Sequence, residues 1–330
     1  MAEVGNTYLT LVDLYKQQEG KGEVTASIIE LLAETNPILE DMIVQECNNG
    51  TGHLTTVRTG LPSATWRKLY QGVQPSKATN RQVTDSTGML EAWSEVDSKL
   101  VALSKNPGQF RLNEATAFIE AMNQEMASGL FYHDTATDPD KFMGLAPRFN
   151  TLSGADTSAQ IINGGGSGSD NTSIWFIVWG DRTCHGLYPE GSMAGLQRED
   201  KGQTTKEVSD GSLYDVHREK FCWDLGFTVR DYRYISRVAN IDVSDLNAGT
   251  VDVEDLMIDA YYALYQRKVT GGRAAIYCNT TVKKALHKLA KNQANVNLTL
   301  DNFEGREIVR FLGIPIRETD AILDTEAAVS

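Results

Sequence analysis

The chain has 330 residues, of which 41% are hydrophobic and 23% are charged, which predicts an ordinary folded protein of about two domains. Its net charge of −13 excludes a surface that binds nucleic acid over its whole extent. No fully apolar run exceeds six residues, and the N-terminus lacks the basic start and apolar stretch of a secretory signal. Four scattered cysteines indicate reduced thiols in a cytoplasmic setting.

Charge is distributed unevenly over the first quarter of the chain. Residues 1–46 carry nine acidic residues against Lys16 and Lys21, a balance of −7. No Asp or Glu occurs from Cys47 to Thr84. The same stretch holds five basic residues, which are Arg58, Arg67, Lys68, Lys77 and Arg81. An acidic segment is therefore followed directly by a basic one.

The first predicted element is an amphipathic helix in the acidic N-terminal segment. Ile28, Leu31 and Leu32 recur at i, i+3, i+4 spacing and form one apolar face. Thr25 is a suitable N-cap, and Pro37 ends the helix. A helix with one apolar face needs a partner surface.

Residues 48–89 lack a strong apolar face and are interrupted by glycine and proline. Between the breakers lie two β-like pieces, HLTTVRT and TWRKLY. Long segments of this kind are usually functional or disordered. The composition favours an extended hairpin that packs against another surface, with Trp66 and Tyr70 as aromatic anchors.

The remaining elements follow from periodicity and capping residues. The strongest helix pattern covers residues 113–132, with Asn113 as its cap and an apolar stripe of Ala115, Phe118, Ile119, Met122, Met126 and Leu130. Two later helices are predicted at 253–268, capped by Asp252, and at 280–293. Strands are predicted for IWFIVW with both faces buried, for FCWDLGFTV with one face buried, for RAAIYCN, and for the closing stretch REIVRFLGIPIRETDAIL.

The glycine run Gly164–Ser169 could suggest a phosphate-binding loop. The dinucleotide fingerprint needs glycines at positions 1, 3 and 6 between a strand and a helix, and here the sixth position is Ser169 or Asn171. No Lys-Ser or Lys-Thr pair closes the run, and a β-like stretch follows it instead of a helix. The run is predicted to be a mobile loop or a hairpin tip.

Residue patterns for catalysis or metal binding are sparse. Cys184-His185 and His217…Cys222 match no common zinc spacing, and neighbours on a strand point to opposite faces. The aspartates around Asp138 lack the order of a calcium loop, and no Gly-x-Ser-x-Gly sequence occurs. We therefore expect no catalytic residues, no metal and no cofactor.

Several stretches carry a resemblance to a known family. Residues 34–97 contain NPILEDM, then TVRTGLPSATWRKLYQGV, then GMLEAWSEVD, and residues 141–150 read KFMGLAPRFN. Together with the order of elements along the whole chain, they resemble the major capsid proteins of tailed bacteriophages. The resemblance is closest to the branch of short-tailed phages whose shells lack covalent cross-links.

The resemblance implies an α+β fold of the Hong Kong 97 type. Residues 1–46 would be the N-terminal arm, and residues 47–92 the extended E-loop that reaches over a neighbouring subunit. Residues 93–143 and 301–330 would form the peripheral domain, with helix 113–132 as its spine. Residues 144–300 would form the axial domain, in which the glycine run is a surface loop.

The implied function is that of a structural protein that self-assembles into the icosahedral shell around the double-stranded DNA of a tailed phage. Its partners would be copies of itself in pentamers and hexamers, with scaffolding, portal and decoration proteins as further candidates. The shell would enclose DNA without tight sequence-specific binding, would involve no membrane, and would assemble in the host cytoplasm. Lys68 and Lys77 lie where a related capsid carries a cross-linking lysine, but nothing marks a partner asparagine, so we predict a non-covalent shell.

The charge pattern supports one part of this implication independently. A basic loop and an acidic arm on one chain suit contacts between different copies. The predicted inter-subunit residues are Arg58, Trp66, Arg67, Lys68, Tyr70, Lys77 and Arg81. We expect their cations to dock on acidic surface of an adjacent subunit and to lose affinity at high ionic strength.

Two other interpretations remain open from the sequence. An encapsulin-like nanocompartment shell would share the fold, the arm and the loop, but would enclose cargo enzymes. An acidic cytoplasmic α/β enzyme would use residues 48–89 as an active-site lid, and would hold titratable residues of shifted pKa in a pocket.

Overall fold

A computed structural model describes residues 34–104, 106–208, 211–267, 272–290, 298–303 and 306–330. Within these ranges it describes only the backbone of residues 299–303 and 306–308. It also describes the backbone of two short segments nearer the N-terminus, Gln18–Glu19 and Val24–Thr25. The predicted N-terminal helix, which begins at Thr25 and ends near Thr35, lies outside these residues except for the backbone of Thr25 and for Glu34 and Thr35, which are not helical. The backbone of Thr25 belongs to a two-residue strand that pairs with Gln18–Glu19.

The described elements follow one another along the chain as a mixture of strands and helices. The first half contains β1 (Gln18–Glu19), β2 (Val24–Thr25), α1 (Ile38–Asp41), β3 (Val44–Glu46), β4 (Gly52–Gly60), β5 (Thr79–Asp97), α2 (Ser98–Leu103) and α3 (Pro107–Tyr132). The second half contains β6 (Ile161–Asn163), β7 (Asn171–Trp179), β8 (Cys184–Tyr188), β9 (Gln197–Glu207), β10 (Leu213–Val229), β11 (Ile235–Asp242), α4 (Val243–Ala248), α5 (Val253–Ala263), β12 (Arg273–Cys278), α6 (Thr280–Ala290), β13 (Leu298–Phe303), β14 (Arg306–Phe311) and β15 (Ile314–Glu318). Three short 3-10 helices lie at Ala146–Arg148, Asp156–Gln160 and Tyr232–Tyr234.

One large mixed sheet connects most of the described strands. Its main path runs β13-β14-β15-β12-β7-β8-β10-β5-β4, and β3, β6, β9 and β11 pair at its sides. The 19-residue β5 holds two regions of this sheet together. Its first half pairs with β4 and its second half pairs with β10, both antiparallel. The architecture is therefore α+β, as the sequence predicted.

Strand β7 is buried on both faces, which confirms the prediction for IWFIVW. Trp175, Ile177 and Trp179 pack with residues of α3 such as Leu130. Ile174, Phe176 and Val178 face the opposite core, which is covered by α5 and α6. Because successive side chains of a strand point to opposite faces, one continuous apolar run supplies both cores.

Helix α3 starts six residues earlier than the predicted 113–132. Asn106, not Asn113, is the N-cap, and its side chain accepts a hydrogen bond from the Gln109 backbone N–H at 3.3 Å. Pro107 occupies the first turn, where a missing N–H costs nothing. The predicted apolar stripe is also wrong at Ile119, which is 37% exposed.

Other predicted boundaries shift in the structure. Helix α5 is capped by Asp252 as predicted but ends at Ala263, well before residue 268. Strand β10 extends the predicted FCWDLGFTV stretch back to Leu213, and β12 matches RAAIYCN. The HLTTVRT stretch forms β4, as predicted. The TWRKLY stretch forms no strand and belongs to the irregular connection of residues 61–78.

The glycine run follows strand β6 and precedes β7, so it has no helix to complete a phosphate site. The backbone N–H groups of Gly164 and Gly166 donate to the carbonyls of Ala239 and Asn240 on β11, at 2.7 and 2.8 Å. A Cβ atom at Gly164 would lie 2.7 Å from the Asn240 carbonyl oxygen. Glycine is therefore needed here for close backbone packing.

Candidate functional site: an exposed basic hairpin

Strands β4 and β5 form a hairpin whose long connection, residues 61–78, carries large apolar side chains into solvent. Trp66 and Tyr70 are 101% exposed, and Leu69 and Leu61 are 85% and 81% exposed. Tyr70 also has a left-handed backbone with φ of 65°, which is uncommon for a residue with a side chain. We refer to residues 61–78 as the tip. Exposed apolar patches of this kind mark interaction sites.

The five basic residues of the hairpin are all exposed and lack carboxylate partners within the part of the chain that the structure describes. Arg58 and Arg81 lie on β4 and β5, whereas Arg67, Lys68 and Lys77 lie in the tip. Arg67 donates through Nε to the Gln71 carbonyl at 3.2 Å. The hairpin therefore presents positive charge that no described side chain neutralises.

Strand β4 forms the outer edge of the sheet, and one of its residues is already covered by a side chain. The Asn48 amide accepts from the Leu54 N–H at 2.8 Å and donates to the Leu54 carbonyl at 2.9 Å. Beyond Leu54, β4 borders a cleft of about 710 Å³ whose other side includes three arginines and one aspartate, Arg182, Arg230, Arg233 and Asp231. This flank of the hairpin is therefore also positively charged.

The base of the hairpin, around His53 on β4 and Asp85 on β5, is buried against the central strands, and we refer to it as the root. Asp85 on β5 accepts hydrogen bonds from Arg148 at 2.8 Å and from Thr228 at 2.6 Å. Nearby, His53 on β4 lies edge-to-face against His185 on β8. Burial, followed by the charge of Arg230, lowers the pKa of both histidines, and that of His185 falls to about 4. The hairpin is thus exposed at its tip and fixed at its base.

The structure offers no metal site within its described ranges, because no three His, Cys, Asp or Glu side chains cluster there. None of the described helices has the length and apolar character needed to cross a bilayer. All four cysteines are free, and three of them, Cys47, Cys184 and Cys278, are buried. The clefts beside the hairpin are lined by arginine and threonine together with apolar, aromatic and aspartate side chains.

A family model described as major capsid protein GP7 matches residues 19–330. The chain belongs to this family of major capsid proteins. A search of curated protein sequences gave no match. Among solved structures, a chain of bacteriophage Epsilon15 is 42% identical to this capsid protein, over 100% of this chain and 99% of that one, with a TM-score of 0.78.

More distant solved structures share the fold. A chain of the bacteriophage JBD30 capsid is 11% identical, covers 91% of this chain and 96% of that one, and has a TM-score of 0.50. An encapsulin of Synechococcus elongatus, also 11% identical, covers 71% of this chain and 97% of that one with a lower TM-score of 0.45. The capsid protein therefore has the Hong Kong 97-type phage capsid fold.

Family membership decides between the interpretations that the sequence left open. The protein is the major capsid protein of a tailed phage, and it self-assembles into the icosahedral shell that encloses the phage's double-stranded DNA genome. It therefore associates with copies of itself and is located in the virion capsid. The family is one of structural proteins, which removes the support for an enzyme with residues 48–89 as a lid.

All the predicted inter-subunit residues lie on one hairpin, but they do not form a single cluster. Trp66, Arg67, Lys68 and Tyr70 are neighbours in the tip, whereas Arg58 and Arg81 lie farther down the two strands. Sequence analysis missed the arginines across the cleft from β4, since they come from distant segments. It also missed the histidines of the root, which no spacing pattern marks.

Helix α1 is anchored in the body of the capsid protein through Asp41. Its side chain is 3% exposed, and it accepts hydrogen bonds from Arg273 Nη1 at 3.1 Å, Tyr277 Oη at 3.0 Å and Arg317 Nη2 at 3.3 Å. The Tyr277 hydroxyl in turn accepts from Trp179 Nε1 at 2.8 Å. This network ties α1 to β12, β15 and β7.

Substitution of Asp41 with alanine is expected to lower the free energy of unfolding by about 1–3 kcal/mol, because the buried Tyr277 hydroxyl loses its acceptor. The measurement is urea unfolding followed by tryptophan fluorescence. Asp41→Asn keeps an acceptor in place and serves as the matched variant, with a smaller expected loss. Equal stability of Asp41→Ala and the unchanged protein would show that the network does not anchor α1.

Proposed function

We propose that the capsid protein builds its shell from pentamers and hexamers in which each copy docks its exposed tip on a neighbour. The full exposure of Trp66 and Tyr70 carries this proposal, because their apolar surface has no partner in the described part of the subunit. Aromatic side chains surrounded by cations are typical of the anchors of protein interfaces. The basic residues Arg67 and Lys68 beside them suit an acidic surface on that neighbour.

We further propose the assignment of residue ranges to structural regions that the resemblance implied. Residues 1–46 act as the arm, and residues 47–92 as the extended loop. Residues 93–143 with 301–330 act as the peripheral domain, and residues 144–300 as the axial domain. The hairpin supports this assignment of the loop, since it leaves the large sheet and ends in an exposed tip.

The shell we propose is held together without covalent cross-links and without catalysis. Burial raises the pKa of Cys278 to about 12 and, with help from Asp224, that of Cys222 to about 11, so these thiols are not activated nucleophiles. Lys68 and Lys77 act in this account as exposed charges. Their role is to attract and orient an acidic surface.

The net charge of −13 suits a container that does not bind its DNA tightly. We place assembly of the shell in the host cytoplasm, consistent with four free cysteines. Scaffolding, portal and decoration proteins are further proposed partners of the capsid protein.

The proposal is tested by negative-stain electron microscopy and sedimentation of the purified protein at about 0.01 M and about 1 M salt. We expect closed shells at low salt and a reduced yield at high salt, because screening weakens contacts between exposed charges. A sample that remains as single subunits at every salt concentration is mixed with phage lysate to supply any scaffold. Failure to enter shells even then would contradict the proposal.

The charge contribution is tested by Arg67→Glu with Lys68→Glu, which we expect to lower the shell yield without unfolding the subunit. The matched control is Lys284→Glu with Lys288→Glu, which makes the same change in net charge at two exposed lysines of α6. An unchanged yield for the tip variant, or an equal loss for the control, would argue against docking through the tip cations.

A further inference from the structure

The root of the hairpin contains a pair of buried histidines, away from the exposed tip. His53 is 4% exposed and His185 is fully buried, and their ring centroids are 5.7 Å apart. Arg230, which directly follows β10, places Nη2 3.2 Å from His53 Nε2. A guanidinium can only donate hydrogen bonds, so His53 Nε2 must be an unprotonated acceptor in this arrangement.

The other ring nitrogens of the pair have no hydrogen-bond partner among the described residues. This holds for Nδ1 of His53 and for both ring nitrogens of His185. A protonated imidazole donates from both nitrogens. The Gly180 backbone faces His185 and raises its pKa, but burial and Arg230 lower that pKa by more, and the described residues do not supply acceptors for all of these nitrogens. A second positive charge would also face Arg230 in a buried position, where like charges repel strongly.

The carboxylates that face the pair are already engaged. Asp85 on β5 pairs with Arg148 at 2.8 Å and accepts from Thr228 at 2.6 Å. Asp181, between β7 and β8, pairs with Arg230 at 3.3 Å and has a side chain that is 64% exposed. Asp181 raises the pKa of both histidines and Asp85 that of His53, but burial and the charge of Arg230 lower them by more. The root is therefore built for neutral histidines.

We propose that His53 and His185 form an acid-sensitive latch, which holds the root of the hairpin on the central sheet while both rings are neutral and releases it when they are protonated. Strand β4 carries one ring and β8 the other, so repulsion between them acts directly across the attachment of the hairpin. Release changes the angle of the hairpin to the sheet and therefore the position of the tip. The latch is a property of the single subunit and stands whether or not the tip docks on a neighbour.

The direction of the pH dependence follows from the two histidine pKa values. Burial first, and Arg230 second, lower the pKa of His185 from 6.5 to about 4 and lower that of His53 as well. The opened root therefore binds protons more readily than the closed one, and opening is favoured as the pH falls below 6.5. His185 alone changes the opening equilibrium about 30-fold between about pH 7.5 and about pH 5.

The test is hydrogen–deuterium exchange of the purified capsid protein at about pH 7.5 and about pH 5, corrected for the intrinsic exchange rate. We expect the protection of the β4 amides to fall about 30-fold relative to those of α3. His53→Gln with His185→Phe removes both titrating groups, and its β4 protection should not change with pH. His133→Gln and His287→Gln are matched controls that should behave like the unchanged protein.

A second measurement avoids any substitution in the root. Exchange of the C2 proton of each histidine, followed against pH by mass spectrometry, reports the ring pKa directly. We expect exchange at His53 and His185 to be slow and to titrate below the ordinary histidine pKa of 6.5. Ordinary titration of the pair, pH-independent protection of β4, or acid opening that persists without the histidines would each overturn the latch.

Discussion

Replacement of Glu326 with alanine is expected to lower the free energy of unfolding by about 3–5 kcal/mol, the cost of leaving a buried charge without its partner. Glu326 and Arg237 both have side chains that are 4% exposed, and Arg237 Nη2 lies 2.8 Å from Glu326 Oε2. The other carboxylate oxygen accepts from Tyr132 Oη at 2.6 Å and from Ser173 Oγ at 2.7 Å. One side chain near the C-terminus thus joins β11, α3 and β7.

The loss of stability should extend beyond Glu326, because its partner Arg237 also contacts other parts of the structure. It donates through Nη1 to the Phe149 carbonyl at 2.8 Å and lies 4.8 Å from the centre of the Trp175 ring. Burial and the charge of Glu326 raise the pKa of Tyr132, so its hydroxyl remains a donor over the whole physiological range. Without the carboxylate, the three donors Arg237, Tyr132 and Ser173 lose their shared acceptor in a buried space.

The measurement for Glu326 is urea unfolding with all variants held in the same association state, which sedimentation establishes. Glu326→Gln keeps an acceptor in place and should lose much less than the alanine variant. Glu326→Leu combined with Arg237→Met removes both charges and should recover most of the loss, since an apolar replacement of a buried pair is often neutral. A loss below about 1 kcal/mol for Glu326→Ala would contradict the role assigned to this pair.

The double substitution Trp66→Ser with Tyr70→Ser is expected to abolish most shell formation while leaving the subunit folded. Both side chains are 101% exposed, so removing them costs the isolated subunit nothing in packing. At an interface, aromatic anchors contribute about 2 kcal/mol or more each, which corresponds to roughly 30-fold in affinity per anchor. A shell repeats each contact many times, and the loss is therefore amplified.

Shell yield is measured by sedimentation, and folding by the urea midpoint of the unassembled fraction. The matched control is Met193→Ser, because Met193 is another large apolar side chain that is 71% exposed. It lies outside the hairpin and should leave assembly unchanged. A normal yield for the tip variant would show that Trp66 and Tyr70 are not anchors. A lowered urea midpoint would show instead that they contribute to the fold.

The sequence predicted those elements that a local hydrophobic period or a local helix-capping residue determines. The six apolar residues Ile174–Trp179 predicted a strand buried on both faces, and alternation alone divides them between the two cores. Asp252 identified the start of α5 because its carboxylate caps the helix locally. The order of elements and the motifs of residues 34–97 also sufficed to indicate the fold family.

The same reasoning failed where distant segments decide the outcome. Asn113 has the features of a cap, but Asn106 and Pro107 start α3 one turn and a half earlier. TWRKLY has a β-like composition, yet no strand lies beside it in the described subunit. The contacts of Glu326 with Arg237 join residues 89 positions apart. No local pattern could have indicated that pair.

The most direct test of the central claim is an electron cryomicroscopy reconstruction of the assembled shell at a resolution that shows aromatic side chains. The account predicts density for Trp66 and Tyr70 packed against a neighbouring subunit, with Arg67 or Lys68 within ion-pair distance of one of its carboxylates. A shell in which residues 61–78 remain in solvent, or fold back on their own subunit, would contradict it.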